Sequence, residues 1–174
     1  MKKSLAKTKV KKSTPRVFIS HSHGDTRVKK TKAGNGVVSI CVYGAPGRSK
    51  NFAASKLIES LKAGLPVREL DDLRSNLDLP MERLAPMLGI SKATLHRRKL
   101  AGKLDAAESD RVVRFARLLG KAAAVMESVE NGRRWLTSPQ VGLGGAVPLE
   151  YAETEVGARE VENLLGRIEY GVYS

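Results

Sequence analysis

Apolar residues recur at helical intervals from about residue 51 onward, and glycine or proline interrupts the pattern. The first two apolar stripes have the spacing of short amphipathic helices, and they consist of Ala54, Leu57, Ile58 and Leu61, then Val67, Leu70, Leu73 and Leu77. Gly64 and Pro66 separate the two stripes. Because a one-sided apolar stripe usually packs against neighbouring elements, we expect both to contribute to a hydrophobic core.

A longer helix is predicted to begin after Asp105. Asp105 and Glu108 have the reciprocal spacing of a capping box, which satisfies two free backbone N–H groups at a helix N-terminus. One side of this helix carries the apolar residues Val112, Phe115, Ala116, Leu119, Ala123 and Met126. The pattern predicts the central helix of the core, with Arg111, Arg114 and Arg117 on its solvated side.

The C-terminal third is predicted to begin with a connection rich in turn-forming residues. This connection follows Asn131-Gly132, leads to about Glu150, and contains Trp135, which we expect to anchor in the core. A final helix is predicted over Glu155–Glu169, ending at Gly171. Its apolar face consists of Val161, Leu164, Leu165 and Ile168. Together the patterns predict an all-α protein, a helical bundle.

Residues 84–95 have the pattern of a helix-turn-helix. Small Ala85 permits the two helices to approach, Gly89 permits the positive φ of a tight turn, and Ser91 is suited to cap the second helix. Pro86 removes a backbone donor, so the first helix is expected to be kinked or to begin late. The apolar positions expected to pack the two helices together are Leu84, Leu88, Ile90 and Leu95.

The second helix of this pattern is strongly cationic. Residues 91–103 contain five Lys or Arg and no acidic residue, which favours DNA as the partner. Lys92, His96 and Arg97 are expected to face the major groove, and the later lysines to lie near phosphates. Arg98 is excluded because this offset from Gly89 usually faces the protein interior. The candidate DNA-binding residues are therefore Ser91, Lys92, His96, Arg97, Lys99 and Lys103.

Positive charge is concentrated in the first fifty of the 174 residues. The chain has a net charge of +13, and residues 1–50 carry 13 Lys or Arg against one acid, Asp25, a net charge of +12. A Lys-rich segment without helical periodicity is expected to be a disordered basic extension. It could lie along DNA phosphates or act only as a solubilising tail. A gene start assigned too far upstream would also account for it.

Three local patterns in the first fifty residues resemble functional motifs but lack their remaining parts. Residues 16–25 are similar to the first strand of Toll/interleukin-receptor domains, but the alternating strands and helices do not follow. His21 and His23 have no further metal ligands nearby. Residues 44–50 lack the spacing of a phosphate-binding loop. We interpret these patterns as chance similarity, solvated histidines and a linker.

The composition excludes several classes of protein. No apolar run approaches the roughly 18 residues of a membrane span, and no apolar stretch of signal-peptide length follows the basic N-terminus. The single cysteine, Cys41, cannot form an internal disulfide, which fits a reducing, cytoplasmic setting. Paired carboxylates, a nucleophile with a base, and metal clusters are missing from plausible arrangements. We expect no catalytic residues, no metal and no cofactor.

The helical part of the chain resembles the Xre-type antitoxins of RES–Xre toxin–antitoxin modules, whose toxin-binding domain also occurs in ParS and MbcA proteins. The resemblance covers about Phe52 to Ser174, roughly seven tenths of the chain. It is carried by several separated motifs in order, namely Thr94-Leu95-x-Arg97-Arg98-Lys99, Glu108-Ser109-Asp110-Arg111, Arg134-Trp135-Leu136, Leu143-Gly144-Gly145 with Pro148-Leu149, Gly157-Ala158-Arg159-Glu160-Val161, and Gly166-Arg167-Ile168-Glu169-Tyr170-Gly171-Val172-Tyr173.

The resemblance implies a homodimeric antitoxin that represses its own operon and inhibits a RES toxin, an enzyme that consumes NAD. It implies a helix-turn-helix domain over residues 51–126 and a small helical toxin-binding and dimerisation domain over 127–174, after the extension of residues 1–50. Residues 140–174 carry six acids and two Arg, a net charge of −4. This acidic end suits a plug for a cationic dinucleotide site.

The residues expected to form the plug are Glu169, Tyr170, Gly171, Val172, Tyr173 and Ser174. Their carboxylates would meet arginines of the toxin, and the two tyrosines would bury area where a nucleotide ring stacks. A frayed end without a role is the alternative reading of the tail. For the whole chain, the alternative is a stand-alone helix-turn-helix regulator whose C-terminal domain only dimerises or senses a ligand.

Overall fold

The computed structural model describes residues 36–43 and 54–172. Within these ranges the regular elements are helices, and the one isolated antiparallel bridge joins Pro66 and Lys103. The helices are α1 (Val37–Tyr43), α2 (Ala54–Ala63), α3 (Arg68–Leu77), α4 (Met81–Met87), α5 (Lys92–Ala101), α6 (Ala106–Val125), α7 (Val129–Leu136), α8 (Pro148–Tyr151) and α9 (Glu155–Glu169), with a 3-10 turn over Val141–Leu143. The prediction of an all-α protein is confirmed.

Helix α6 is the centre of the core, as predicted. Asp105 accepts a hydrogen bond from Glu108 N at 2.8 Å, and Glu108 Oε2 accepts one from Asp105 N at 2.9 Å, so the capping box is complete. The predicted apolar side is buried except for Met126, which is partly buried just beyond the helix. Val113, Leu118 and Ala122 are buried as well. Helices α1, α3, α7 and α9 pack around α6.

The expectation that the three arginines of α6 form a solvated side is wrong for two of them. Only Arg117 is well exposed, at 62% of its side chain. Arg111 is half-buried and donates from Nη1 to the carbonyl oxygen of Leu88 at 2.9 Å. Arg114 is mostly covered and pairs with Asp110 at 3.0 Å and with Glu155 at 3.1 Å. The amphipathic pattern of α6 predicted that all three arginines face solvent, but neighbouring helices partly cover Arg111 and Arg114.

Helix α1 departs from the expectation that residues 1–50 form a disordered extension. Val38 and Val42 are buried in the core. The carboxylate of Glu69, only 2% exposed, accepts a hydrogen bond from Val38 N at 2.9 Å. A buried negative charge at the first turn stabilises α1 through the free N–H groups and the helix dipole. The other patterns noted before residue 51, including His21, His23 and residues 44–50, lie outside the described residues.

The two predicted N-terminal stripes differ in burial. Val67, Leu70, Leu73 and Leu77 are buried, as expected. The stripe on α2 is not core: Ile58 is 50% exposed, and Leu57 and Leu61 are only half-buried. Helix α2 packs against α6, and this contact leaves Ile58 half exposed.

Helix α7 lies where a turn-rich connection was expected. It includes Asn131 and Gly132, because Ser128 caps it by accepting a hydrogen bond from Asn131 N at 3.1 Å. A Cβ on Gly132 would lie 2.6 Å from Ala123 N, so the missing side chain lets α7 contact the backbone of α6. Trp135 is half-buried against the core cluster rather than fully enclosed. The turns begin only after Leu136.

Candidate functional site

Helices α4 and α5 form the predicted helix-turn-helix. Leu84, Leu88 and Ile90 are buried, and Gly89 adopts a φ of 66° in the turn. Ile90 N donates to the carbonyl oxygen of Ala85 at 2.8 Å, which closes the turn. The side chains therefore join this turn to the core as the sequence pattern predicted.

Pro86 neither delays nor interrupts the first helix. Helix α4 begins at Met81, directly after Pro80, and continues one residue past Pro86. Pro86 is exposed and lines an apolar groove of about 450 Å³ between α4 and α5, together with Met81, Ala85 and Leu95. This groove explains why Leu95 is half-buried rather than enclosed between the helices, as had been expected.

Helix α5 presents cationic side chains to solvent. Ser91 caps it: its Oγ accepts a hydrogen bond from Thr94 N at 3.2 Å. Lys92, His96 and Lys99 recur at intervals of four and three residues and lie on one exposed face. Arg97 is also exposed and lies beside that face. Four candidate DNA-binding side chains are thus together on one helix, beyond the cap.

Lys103 has a different environment from the other candidates. It follows the end of α5, and its Nζ donates to the carbonyl oxygen of Ala63 at 2.9 Å. This contact places a positive charge at the C-terminal end of α2, where free carbonyl groups favour a cation. Lys103 therefore has a local structural partner in addition to its predicted role near phosphates.

Arg98 faces the protein interior, as its position in the motif predicted. Its Nε donates to Glu108 Oε2 at 2.7 Å and its Nη2 to Asp105 Oδ2 at 2.6 Å. The hydrogen bond to Glu108 raises the pKa of the Arg98 guanidinium above its ordinary value. Arg98 therefore remains charged and is engaged with the cap of α6.

The C-terminal end of α9 is held in a defined turn. Val172 N donates to Arg167 O at 2.9 Å and Gly171 N donates to Ile168 O at 3.2 Å, the two hydrogen bonds of a Schellman motif. Gly171 has a φ of 68°, which a residue with a Cβ adopts at a cost. Within the toxin-binding set, Glu169, Tyr170 and Val172 are exposed, Tyr170 at 79%. Tyr173 and Ser174 lie outside the described residues.

Residues 36–43 and 54–172 contain no group of three His, Cys, Asp or Glu side chains arranged to hold a metal ion. In the same ranges, every helix is too short or too polar to cross a membrane.

Comparison with known proteins gives a match for the region that contains the cationic face of α5 and another for the region that contains α9. Residues 56–117 match the antitoxin Xre-like helix-turn-helix domain, and residues 121–171 match the antitoxin Xre/MbcA/ParS C-terminal toxin-binding domain. A protein named antitoxin Xre from Yersinia enterocolitica serotype O:8 is 35% identical over 121 residues, which cover 68% of this chain and 81% of that protein. The chain belongs to the Xre antitoxin family.

Two further relatives carry the same name. Antitoxin Xre of Photorhabdus laumondii subsp. laumondii is 34% identical over 66% of this chain and 78% of its own length. Antitoxin Xre of Pseudomonas putida is 34% identical over 37% of this chain and 40% of its own length. Both matched domains are regulatory and binding domains and are not enzymatic.

Two of the structural contacts that sequence reasoning missed in the antitoxin support its helices. Arg111 supports the turn through Leu88 O, and Glu69 caps α1. The first was signalled only by the family motif Glu108-Ser109-Asp110-Arg111, which does not reveal the partner. The second had no signal, because a Glu on a helix surface is ordinary until another helix covers it.

Proposed function

We propose that this antitoxin neutralises a RES-type, NAD-consuming toxin by inserting its C-terminus into the active site of the toxin, and that it represses its own operon as a homodimer that binds operator DNA. The match of residues 121–171 to a toxin-binding domain carries this proposal. It also favours an antitoxin over a stand-alone regulator with a ligand-sensing C-terminal domain.

The geometry of the C-terminal end supports the plug. Helix α9 ends in exposed Glu169 and Tyr170, and the Schellman motif directs the chain after Gly171. A protruding aromatic side chain buries a large apolar area when it enters a pocket, and nearby carboxylates complement arginines there. The plug consists of residues 169–174, of which Tyr173 and Ser174 are assigned from sequence alone.

The cationic face of α5 supports the operator contact. Lys92, His96 and Arg97 lie within its first six residues, toward the end at which second helices of this motif approach base edges. Lys99 and Lys103 lie further along, placed to approach phosphates. A symmetric dimer would present two such helices to the two halves of an operator.

The proposed division of the chain places α6 with the helix-turn-helix domain, at 51–126, and α7 to α9 in the toxin-binding and dimerisation domain, at 127–174. The matched regions end at residue 117 and begin at residue 121, inside α6. Since α6 packs against helices from both regions, it joins the two functions in one core.

The proposed inhibition of the toxin is tested in cells that express the product of the neighbouring gene. Deleting residues 170–174 is expected to abolish rescue of growth at unchanged antitoxin levels. The matched control replaces Lys92 and Arg97 with Ala, on α5 rather than in the tail, and is expected to leave rescue intact. Full rescue by the truncated chain would refute the plug.

The DNA arm is tested with a duplex from the region upstream of the antitoxin gene. The Lys92→Ala and Arg97→Ala chain is expected to bind this duplex at least tenfold more weakly in fluorescence anisotropy, since each base contact contributes about 1–3 kcal/mol. The truncated chain is expected to bind it normally. Loss of both activities in one variant would indicate misfolding, which circular dichroism would reveal.

The alternative of a stand-alone regulator predicts a different genetic context. A neighbouring open reading frame for a small RES-like enzyme that co-purifies with the antitoxin supports our proposal. An isolated gene whose product represses transcription without any toxin would support the regulator instead.

A further inference from the structure

Helix α5 has little apolar packing to determine its orientation. Every residue of α5 is exposed or half-buried, and its inner face consists of Thr94, Leu95 and Arg98. The apolar groove between α4 and α5 leaves Leu95 uncovered on one flank. Hydrophobic contact alone therefore constrains this helix less than it constrains α3 or α6.

Two hydrogen bonds of Arg98 constrain the orientation of α5. Its Nε and Nη2 donate to Glu108 and Asp105, and both acceptors belong to the capping box of α6. Glu108 Oε2 accepts from Asp105 N at the same time, and Glu108 is buried. The planar guanidinium thus has two fixed partners on one rigid helix end, which restricts rotation of α5 about its own axis.

We propose that Arg98 is a positioning residue for operator recognition, which sets the direction in which His96 and Arg97 project. Consecutive residues of an α-helix are about 100° apart around the axis, so fixing Arg98 fixes its neighbours. This inference rests on the proposed operator binding and adds that specificity depends on a side chain that does not contact DNA.

The test compares Arg98→Met with Lys99→Met in the full-length chain. Each variant is titrated against the upstream duplex and a scrambled duplex of equal length, over a series of salt concentrations. Arg98→Met is expected to weaken binding to the upstream duplex about tenfold and to the scrambled duplex by less than about twofold, with an unchanged salt slope. Lys99→Met is expected to weaken both and to lower the salt slope by about one ion.

The conservative variant separates positioning from simple loss of charge. Lysine at position 98 keeps the charge but lacks the planar fork that reaches both carboxylates. Arg98→Lys is therefore expected to show an affinity for the upstream duplex between those of the wild type and Arg98→Met. Wild-type affinity in Arg98→Met would overturn the proposal, and so would a lower salt slope in that variant, because Arg98 would then contact phosphate.

A measurement without DNA distinguishes failure of this inference from failure of the proposed function. Amide hydrogen exchange over residues 92–101 is expected to accelerate about tenfold in Arg98→Met, whereas exchange in the middle of α6 stays within twofold of the wild type. Unchanged exchange in α5 overturns the positioning role. If no duplex binds even the wild type, the operator proposal fails, and the exchange result alone decides whether Arg98 constrains α5.

Discussion

The Nη1 atom of Arg111 lies 2.9 Å from the carbonyl oxygen of Leu88 and donates a hydrogen bond to it. Leu88 is the C-terminal cap of α4, where backbone carbonyls lack partners within the helix. A Cβ on Gly89 would lie 2.9 Å from the same nitrogen, so the guanidinium also covers the turn. One side chain of α6 therefore supports the connection between the two helices of the DNA-binding motif.

Replacing Arg111 with Met is expected to lower the free energy of unfolding by about 2 kcal/mol. The variant keeps much of the apolar stem but leaves the Leu88 carbonyl without its charged donor, and hydrogen bonds to charged groups contribute about 1.5–3 kcal/mol. Urea unfolding followed by circular dichroism measures this change.

Arg117→Met is the matched control, on the same helix and with the same change of side chain. Arg117 is mostly exposed, and its closest acid, Glu162, is 3.6 Å away. A surface pair of this kind contributes at most about 1 kcal/mol. Equal destabilisation by the two substitutions would contradict the specific role of Arg111.

Two helical glycines are expected to respond to alanine in opposite directions. Gly132→Ala should lower the free energy of unfolding by about 3 kcal/mol, because the new Cβ would meet the backbone of Ala122 and Ala123 at 2.6–2.8 Å. Gly166→Ala should raise it by about 0.5–1 kcal/mol, since only Lys121 Nζ lies near, at 3.9 Å, and alanine favours helix. Thermal and urea unfolding of both variants check this; a mild effect at Gly132 would mean that α7 moves away without loss.

Local signals determined what could be predicted. The capping box of Asp105 and Glu108 identified the start of α6, and the stop at Gly171 identified the end of α9, because both depend on residues close in sequence. The prediction that a turn-rich connection follows Asn131-Gly132 was wrong at its start, because this dipeptide, although typical of turns, lies within α7. There the close contact between α7 and α6 prevails over local preference.

Contacts between residues far apart in the sequence could not be predicted from the pattern of apolar positions. The helical spacing of α2 predicted its stripe but not how little of it neighbouring residues would cover, so Ile58 was wrongly expected in the core. The cationic character of α5 was evident from composition, and its candidate DNA-binding side chains are exposed, while their contact with DNA stays a prediction. The partner of Lys103 on α2 is 40 residues away in sequence and had no local signal.

The thiol of Cys41 is expected to report on the docking of α1. Burial raises the pKa of Cys41 above its ordinary value of 9.0, Arg117 opposes this, and Glu69 adds to it. Native protein at pH 8 should therefore react with iodoacetamide more slowly than the unfolded chain, because the thiolate is the nucleophile. A folded-state pKa above the unfolded value also means that stability should fall as pH rises above about 9.

Val38→Ala tests whether the reactivity of the Cys41 thiol depends on the docking of α1. Removing methyl groups from this fully buried side chain should weaken α1 docking by about 2 kcal/mol and increase the alkylation rate of Cys41. Val37, half-buried on the same helix, offers the matched substitution, with a smaller expected effect. Equal rates in wild type, Val37→Ala and Val38→Ala would show that Cys41 is accessible whether or not α1 is docked.

The turn at Gly171 is expected to influence toxin binding without affecting the fold. Gly171→Ala makes the left-handed conformation cost about 1 kcal/mol, which should weaken binding of the purified toxin about fivefold if the tail enters the toxin in the direction that this turn provides. Asparagine adopts that conformation more readily, so Gly171→Asn should bind within about twofold of the wild type. Titration calorimetry gives both affinities. Because the turn at Gly171 can open locally at the end of α9 without unfolding the core, the strain is imposed on binding rather than on folding, and the melting temperatures should agree within about 2 °C. Identical affinities for Ala and Asn at this position would mean that the toxin selects the tail in another conformation.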